Sequence, residues 1–381
     1  MSAPTAPVPV IDSDGHVIEP PEIWARYLEP RFHDRMPRPV RDRSGRFCYE
    51  VGGRRIMRTA ASLAVPFRDE TGRRSRSGMP EGGSDPVARL RDMDEEGIGV
   101  AVLYPTLAFF FCEVEDPELH AALCRAYNDW LGDYVAAAPD RLLGVALLPL
   151  DDPPAAVAEL ERTVDRYGFR GAFVRPNPIG GRCLHDLALD PVFACAERLG
   201  VPVTVHEGIS DSLPTLGRDR SANPAVWHFF SHPFEQMAAC ASILLEGVAA
   251  RHPDLRFVFL ESGSGWVPYW LDRMDDHFET WRRLLPGAPE RPSEVFRRQC
   301  FVAADPEDEL VPVVAERLGD HVLVWSSDYP HPDAPFPGAV RKTLRALEGL
   351  PAASVERILA GNARRLYGLG EPPAGSGSAS G

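Results

Sequence analysis

Lysine is almost missing from this chain. Of its 41 basic residues only Lys342 is a lysine, set in an amphipathic segment near the C-terminus. One remote lysine leaves neither a phosphate-loop lysine nor a Schiff-base lysine. Basic residues are outnumbered 41 to 55, for a net charge of −14. That balance argues against a nucleic-acid backbone or an anionic membrane surface as the main partner. No stretch approaches the roughly 18 apolar residues of a membrane span, and the opening MSAPTAPVP lacks the basic start and apolar run of a signal peptide. A cytoplasmic location is expected. The 7 cysteines (Cys48, Cys112, Cys124, Cys183, Cys195, Cys240 and Cys300) are odd in number, widely spaced and free of any C-x-x-C pair. Neither a disulfide framework nor a thiolate zinc site follows from them. What is present is a 381-residue chain, 44% hydrophobic, long enough to bury a large core. A small molecule is the expected partner.

Eight short β-branched runs recur, each followed by a polar cluster and then a segment of helical periodicity. They are VPVID (8–12), GVAVLYP (99–105), RLLGVALLPL (141–150), FRGAFVRP (169–176), VPVTVHE (201–207), LRFVFLES (255–262), QCFVAAD (299–305) and HVLVWSSD (321–328). Such alternation predicts an α/β fold, a (β/α)8 TIM barrel, with an open doubly wound sheet as the alternative. The run at 299–305 is the weakest of the eight. DPVARLRDMDEEG reads as a helix capped by Asp85, with Pro86 at its first position, Gly97 at its end and Val87, Leu90 and Met93 on one face. DPELHAALCRAYNDWLGDYVAAAP repeats the Asp-Pro start, and its Leu119, Leu123, Tyr127, Trp130 and Tyr134 stripe reads as core.

The first connection is too long for a single crossover. FCYEVGGRRIMRT reads as a hairpin turning at Gly52-Gly53, followed by the Arg/Gly-rich RDETGRRSRSGMPEGG. The expected organisation is a barrel over 8–32 and 86–369, an inserted hairpin and loop cap over 33–85 near the barrel mouth, and a flexible tail over 370–381.

In a barrel the C-terminal strand ends share one mouth. Those ends carry Asp14 and His16, Tyr104, Arg175 and Asn177, His206, Glu261, Asp305, and Asp328 with His331. Asp14 and His16, two apart in an extended segment, project to the same side and can grip one ion. His206 and Asp328 join them if strands one, five and eight close round a common axis. Imidazole and carboxylate ligands in equal number suit Zn²⁺ first, and also Mn²⁺ or Fe²⁺. Glu261, ending strand six, is then the expected proton carrier. Each residue also has a plainer reading: Asp-Gly is ordinary turn material, Asp328 can cap a loop, and Glu261 can neutralise Arg175.

The same residues resemble the amidohydrolase-related family that includes aminocarboxymuconate semialdehyde and resorcylate decarboxylases. Ile11-Asp12-Ser13-Asp14-Gly15-His16 looks like that family's first-strand motif, VPVTVHEG like its fifth-strand segment, VLVWSSDYPHPD like its eighth, RHPDLRFVFLESGSGWVPYWLDRMD (251–275) like its sixth, and ILAGNARRLYGL (358–369) like its closing helix. The resemblance implies Asp14, His16, His206 and Asp328 as ligands to one divalent metal, Asp328 also as proton acceptor, and a homodimer. Two departures stand out. The decarboxylases carry a histidine in an H-x-G context where this chain has Glu261, and no lysine on strand four is present for a binuclear carbamate site.

A carboxylate at 261 repels a substrate carboxylate, which favours hydrolysis, or its dehydrative reverse, at a carbonyl-type carbon of a small aromatic or carboxylated molecule. Non-oxidative decarboxylation is the alternative, and a metal-free binding protein the third reading. Tyr104, Arg175, Asn177, His232 and Arg55 are the expected substrate contacts. His232 in SHPFEQM either faces the pocket or serves its helix, and Arg54, Arg55 and Arg58 offer bidentate carboxylate binding. Trp227, Phe229 and Phe230 either wall an aromatic pocket or pack on the barrel.

Overall fold

The structure, a computed structural model, describes residues 6, 8–41, 43, 47–56, 79–209, 213–332 and 334–370. Most of the expected Arg/Gly-rich loop, the end of the expected hairpin segment with Arg58, and all but the first residue of the expected tail lie outside these. Among the described residues twelve strands run in chain order: β1 (Val10–His16), β2 (Arg38–Arg41), β3 (Phe47–Val51), β4 (Arg54–Ile56), β5 (Ile98–Tyr104), β6 (Leu142–Gly144), β7 (Ala146–Leu147), β8 (Ala172–Val174), β9 (Val203–Val205), β10 (Phe257–Phe259), β11 (Cys300–Ala304) and β12 (Leu323–Trp325). All but β2–β4 are parallel to their neighbours, in the orders β1-β5-β6 and β7-β8-β9-β10-β11-β12. Val145 alone separates β6 from β7. Across the remaining seam Asp328 donates N–H to Asp14 O at 2.9 Å and His16 donates to Tyr329 O at 2.6 Å. The eight expected runs therefore form the expected TIM-barrel fold, and the run expected to be weakest is β11, five residues and wholly buried.

Near-continuous apolar strands suit a sheet buried on both faces, by helices outside and by the packed barrel interior within. The helices start where their caps put them. Asp85 accepts N–H from Val87 at 2.7 Å and Ala88 at 3.2 Å, and Gly97 ends that helix (Pro86–Glu96) in the left-handed region at φ 77°. Such a cap contributes on the order of 1 kcal/mol. The buried face differs from the expected one: Val87 is exposed and Leu90 only half-buried, while Ala88, Arg89, Asp92 and Met93 point inward. Polar side chains belong there because the helix packs against Asp12 and Tyr329, which are themselves polar. In the helix Pro117–Val135 the whole aromatic stripe is buried, as expected.

The hairpin also forms, with Gly52 (φ 57°) and Gly53 (φ 79°) supplying the two positive dihedrals of its turn. β2 adds a third antiparallel strand. The sheet, through Arg54 to Glu115 at 2.5 Å, and the helical turn Pro30–Arg35 before it, through Arg35 to Asp116 at 2.7 Å, are tied to the loop after β5. The same loop is held from below by buried Glu19, which accepts N–H from Thr106, Leu107 and Ala108 at 3.1, 2.9 and 3.0 Å. No helix among the described residues is long and apolar enough to cross a membrane.

Candidate metal centre

β1 carries an irregularity between Asp12 and Gly15, where three steps along β1 match two along β5. The bulge re-aims the strand. Asp12 turns to the seam, where it accepts Ser327 N–H at 2.9 Å and Ser327 Oγ–H at 2.6 Å. Asp14 and His16 turn inward together. There His206, one residue past β9, brings Nε2 to 3.1 Å from Asp14 Oδ1 and 3.2 Å from His16 Nε2. His16 Nε2 stands 3.4 Å from both Asp14 Oδ1 and Asp328 Oδ1. Donors of Asp14, His16 and His206 thus all lie within 4.8 Å of one another, whereas Asp328 joins them only through His16 and groups with His16 and His331.

Their protons can be placed. His16 Nδ1 lies 2.7 Å from Pro105 O, and His206 Nδ1 lies 2.7 Å from Glu207 O. A carbonyl only accepts, so both Nδ1 atoms carry hydrogen and both Nε2 atoms present lone pairs to the cluster. Asp14 Oδ2 is buried with no hydrogen-bond partner. Several lone pairs facing one another at hydrogen-bond distance need a positive charge between them. Without a cation the imidazoles respond in opposite directions: burial and neighbouring His331 hold His16 down to about 3, whereas Asp14 outweighs burial and pushes His206 up to about 9. The Asp14 carboxylate and the two imidazoles fit a divalent cation such as Zn²⁺, Mn²⁺ or Fe²⁺, with Asp328 beside them on His16, and the carbonyl bonds at Nδ1 orient both rings for it.

Glu261 sits beside this centre, Oε2 at 3.4 Å from His206 Nδ1 and Oε1 at 3.4 Å from His232 Nε2. Burial opposes its ionisation, but His232 and His206 together hold its carboxyl below the usual range. Glu261 (φ 51°) and Asp328 (φ 55°) are the only non-glycine residues with positive φ among the described residues. That conformation costs on the order of 1 kcal/mol or more and persists where surrounding structure enforces it, commonly at functional sites. Asp328 Oδ1 also meets His331 Nδ1 at 2.7 Å, and His331 Nε2 reaches Thr106 Oγ1 at 3.1 Å while its ring stacks on His16 at 4.1 Å. Phe109, on the loop that Glu19 holds, packs its ring 4.8 Å from that of His206 and 5.6 Å from that of His16.

The expected substrate contacts fare unevenly. His232 is in the site through Glu261. Tyr104 is wholly buried beneath the cluster, its hydroxyl 3.3 Å from that of Tyr367, so it is a floor residue. Arg175 and Asn177 are buried in a network of their own: Arg175 serves Asn177, Phe109 O, Gly208 O and Glu207, and Asn177 serves Glu207 and Pro214 O. Glu207, not Glu261, is the carboxyl beside Arg175, its Oε2 at 3.6 Å from Nη2. Arg55 lies on the exposed side of β4, across from Glu50, because the hairpin register turns it to solvent. Phe229 is 71% exposed, so it neither walls a pocket nor packs on the barrel. Two histidines matter more than the sequence reading allowed: His331, three residues after Asp328, and His228, four residues before His232 on one helix face.

The family model described as Amidohydrolase matches residues 11–369. The chain belongs to the amidohydrolase family. This amidohydrolase is 28% identical over 297 residues to gamma-resorcylate decarboxylase of Rhizobium sp., covering 74% of this chain and 86% of that one. It is 25% identical over 289 residues to 2-amino-3-carboxymuconate-6-semialdehyde decarboxylase of Dictyostelium discoideum, covering 75% and 77%. A 2-keto-4-carboxy-3-hexenedioate hydratase of Sphingobium sp. is 28% identical over 302 residues, covering 73% and 81%. Among solved structures, an amidohydrolase of Mycobacterium avium subsp. paratuberculosis superposes with a TM-score of 0.76 at 26% identity, covering 95% of this chain and all of that one. A manganese complex of 5-carboxyvanillate decarboxylase from Novosphingobium aromaticivorans shares the fold at a TM-score of 0.70 and 19% identity, covering 95% and 97%. Like these relatives, the protein is an enzyme.

Proposed function

We propose that this amidohydrolase is a metal-dependent, non-oxidative carboxy-lyase for a small aromatic carboxylate. From sequence alone hydrolysis ranked first; the decarboxylase relatives favour the alternative, and the surroundings of Glu261 answer the objection to it. The observation that carries the reading is the pairing of Glu261 with His232 at 3.4 Å beside the converging donors of Asp14, His16 and His206, with Asp328 adjoining through His16. A carboxylate between two imidazoles repels a substrate carboxylate far less than an isolated one would.

Asp14, His16 and His206, with Asp328 adjoining, would hold a divalent cation that would supply Lewis acidity toward a carboxylate, and manganese in the Novosphingobium relative suits this mixed set. The chain's own task is the proton. Loss of CO₂ breaks one C–C bond and leaves the electron pair on the ring carbon. The Glu261–His232 pair, sharing one proton, delivers it to that carbon and is recharged from solvent. Phe109 supplies an apolar wall beside the cluster.

A second reading, addition of water, is favoured by the Asp328–His331 contact at 2.7 Å, a dyad able to take a proton from water, and by the hydratase relative. Protein loaded with Mn²⁺ or Zn²⁺ and given 2,6-dihydroxybenzoate, 5-carboxyvanillate and related aryl carboxylates in D₂O decides between them. The expected result is CO₂ release with one deuterium at the vacated carbon. Absence of CO₂ across the panel, with ¹⁸O from water entering an unsaturated acid or an ester, overturns the proposal in favour of water addition.

A further inference from the structure

Next to the four-residue centre lies a second convergence of donors, which the sequence reading, expecting one metal, did not anticipate. His228 and His232 stand four residues apart in the helix Pro224–Leu245, so both rings leave the same helical face. They stack with centroids 4.2 Å apart and planes 28° apart. One donor atom each from His228, His232 and Glu261 lies within 4.8 Å of the other two. An H-x-x-x-H pair on one helical face with a carboxylate opposite is a zinc-type ligand set, with a fourth position left for water. His232 is also oriented: its Nδ1 faces His228 O at 3.2 Å and Ser231 Oγ at 3.0 Å, leaving Nε2 aimed at Glu261 Oε1.

We infer that His228, His232 and Glu261 form a second cation site, filled by Zn²⁺ and adjacent to the catalytic one. With one carboxylate to its two imidazoles, against two and two at the catalytic site, this set is the softer and favours Zn²⁺ over Mn²⁺. Glu261 ties the two sites together, because its other oxygen lies 3.4 Å from His206 Nδ1. An ion there takes up the Nε2 of His232 and the carboxylate of Glu261, between which the transferred proton resides. The second site is therefore inhibitory, a consequence that rests on the proposed carboxy-lyase reading; the existence of the site does not.

Equilibrium dialysis of the Mn²⁺-loaded enzyme against Zn²⁺ from nanomolar to millimolar, with total metal counted per chain, tests the site directly. The expected plateau is two ions for the wild type and one for His228→Phe, which keeps a ring stacked on His232 but offers no nitrogen. In that variant Zn²⁺ inhibition shifts to at least about tenfold higher concentration, since loss of a ligand exceeds the effect of losing an outer partner. A Co²⁺ spectrum of the second equivalent, absent in His228→Gln, supports the same assignment. A wild-type plateau at one ion, or an unchanged second ion in both variants, overturns the inference. Two ions bound with no CO₂ from any aryl carboxylate sinks the carboxy-lyase reading and leaves the site standing.

Discussion

Arg89 belongs to none of the groups above, yet it underlies the whole centre. It is 1% exposed, donates Nη1–H to His16 O at 2.9 Å, lies 3.9 Å from Asp12 Oδ2, and places its guanidinium 4.5 Å over the Tyr329 ring. It therefore joins the ligand segment of β1 to the loop carrying Asp328. Arg89→Met removes a charged hydrogen bond (about 1.5–3 kcal/mol) and a desolvated cation–π contact (about 2 kcal/mol), and strips Asp12 of its cation. These terms share partners and do not add, so the expected loss is about 3–5 kcal/mol, that for breaking a buried pair. Metal affinity should fall about 10–100-fold, as for other partners that orient ligands. Urea unfolding of the metal-free protein reads the first quantity, and chelator competition for Mn²⁺ the second. Arg89→Lys should recover part of the stability but little of the affinity, because an ammonium neither forks nor stacks. A folded Arg89→Met protein with unchanged Mn²⁺ affinity refutes the argument and reduces Arg89 to packing.

Glu261→Gln should keep its catalytic-site metal by elemental analysis and lose rate on the order of a hundredfold or more; activity near wild type would make Glu261 structural. Gly15→Ala places a Cβ 2.2 Å from Arg89 Nη2 and 2.9 Å from Asp12 Oδ2. It should cost about 1–3 kcal/mol alone and less than its single value when added to Arg89→Met, a cycle read by urea unfolding. Asp305, which accepts from Ser326 Oγ at 2.8 Å and Gly263 N at 2.9 Å, is pushed by burial up to about 7. Its folded pKa lies above the unfolded one, so its protonated form favours folding at low pH and that contribution is lost as pH rises from about 4 to about 7. Metal-free wild type should accordingly lose up to about 4 kcal/mol relative to Asp305→Asn over that window, and parallel stability curves would exclude it. Dialysis against a chelator should abolish turnover and lower Tm, with Mn²⁺ at a hundred times its Kd returning about 2.7 kcal/mol.

What was legible in the sequence follows from which physical rules act locally. Asp85 and Gly97 mark a helix because a carboxylate cap and a left-handed glycine act within one turn, and the observed bounds agree. Asp14, His16, His206 and Asp328 could be grouped because the barrel sends every strand's C-terminal end to one mouth, so a period of strands becomes a prediction of contact between residues more than three hundred positions apart. What failed is what depends on burial. Arg175 and Asn177 stand at a strand end as expected, but whether such a side chain meets substrate or a buried Glu207 depends on packing that a linear pattern does not encode. The same holds for Arg89 and Asp92, polar residues on the inner face of a helix whose apolar positions suggested another face.

The backbone at Glu261 and Asp328 shows the limit most clearly. Positive φ is ordinarily inferred from glycine or asparagine, and neither stands at these positions. Each strained acid lies two or three residues past a short strand, β10 or β12, whose hydrogen-bonded ladder fixes the approach, and each is then held by imidazoles: Glu261 by His206 and His232, Asp328 by His16 and His331. A strain of about 1–3 kcal/mol at each is supportable because a core of this size enforces it. Glu261, assigned to proton transfer from its place in the barrel, and Asp328, assigned to it from the family resemblance, are therefore the two that the fold holds against their own conformational preference. For Glu261 that coincidence ties function to backbone geometry without the family comparison.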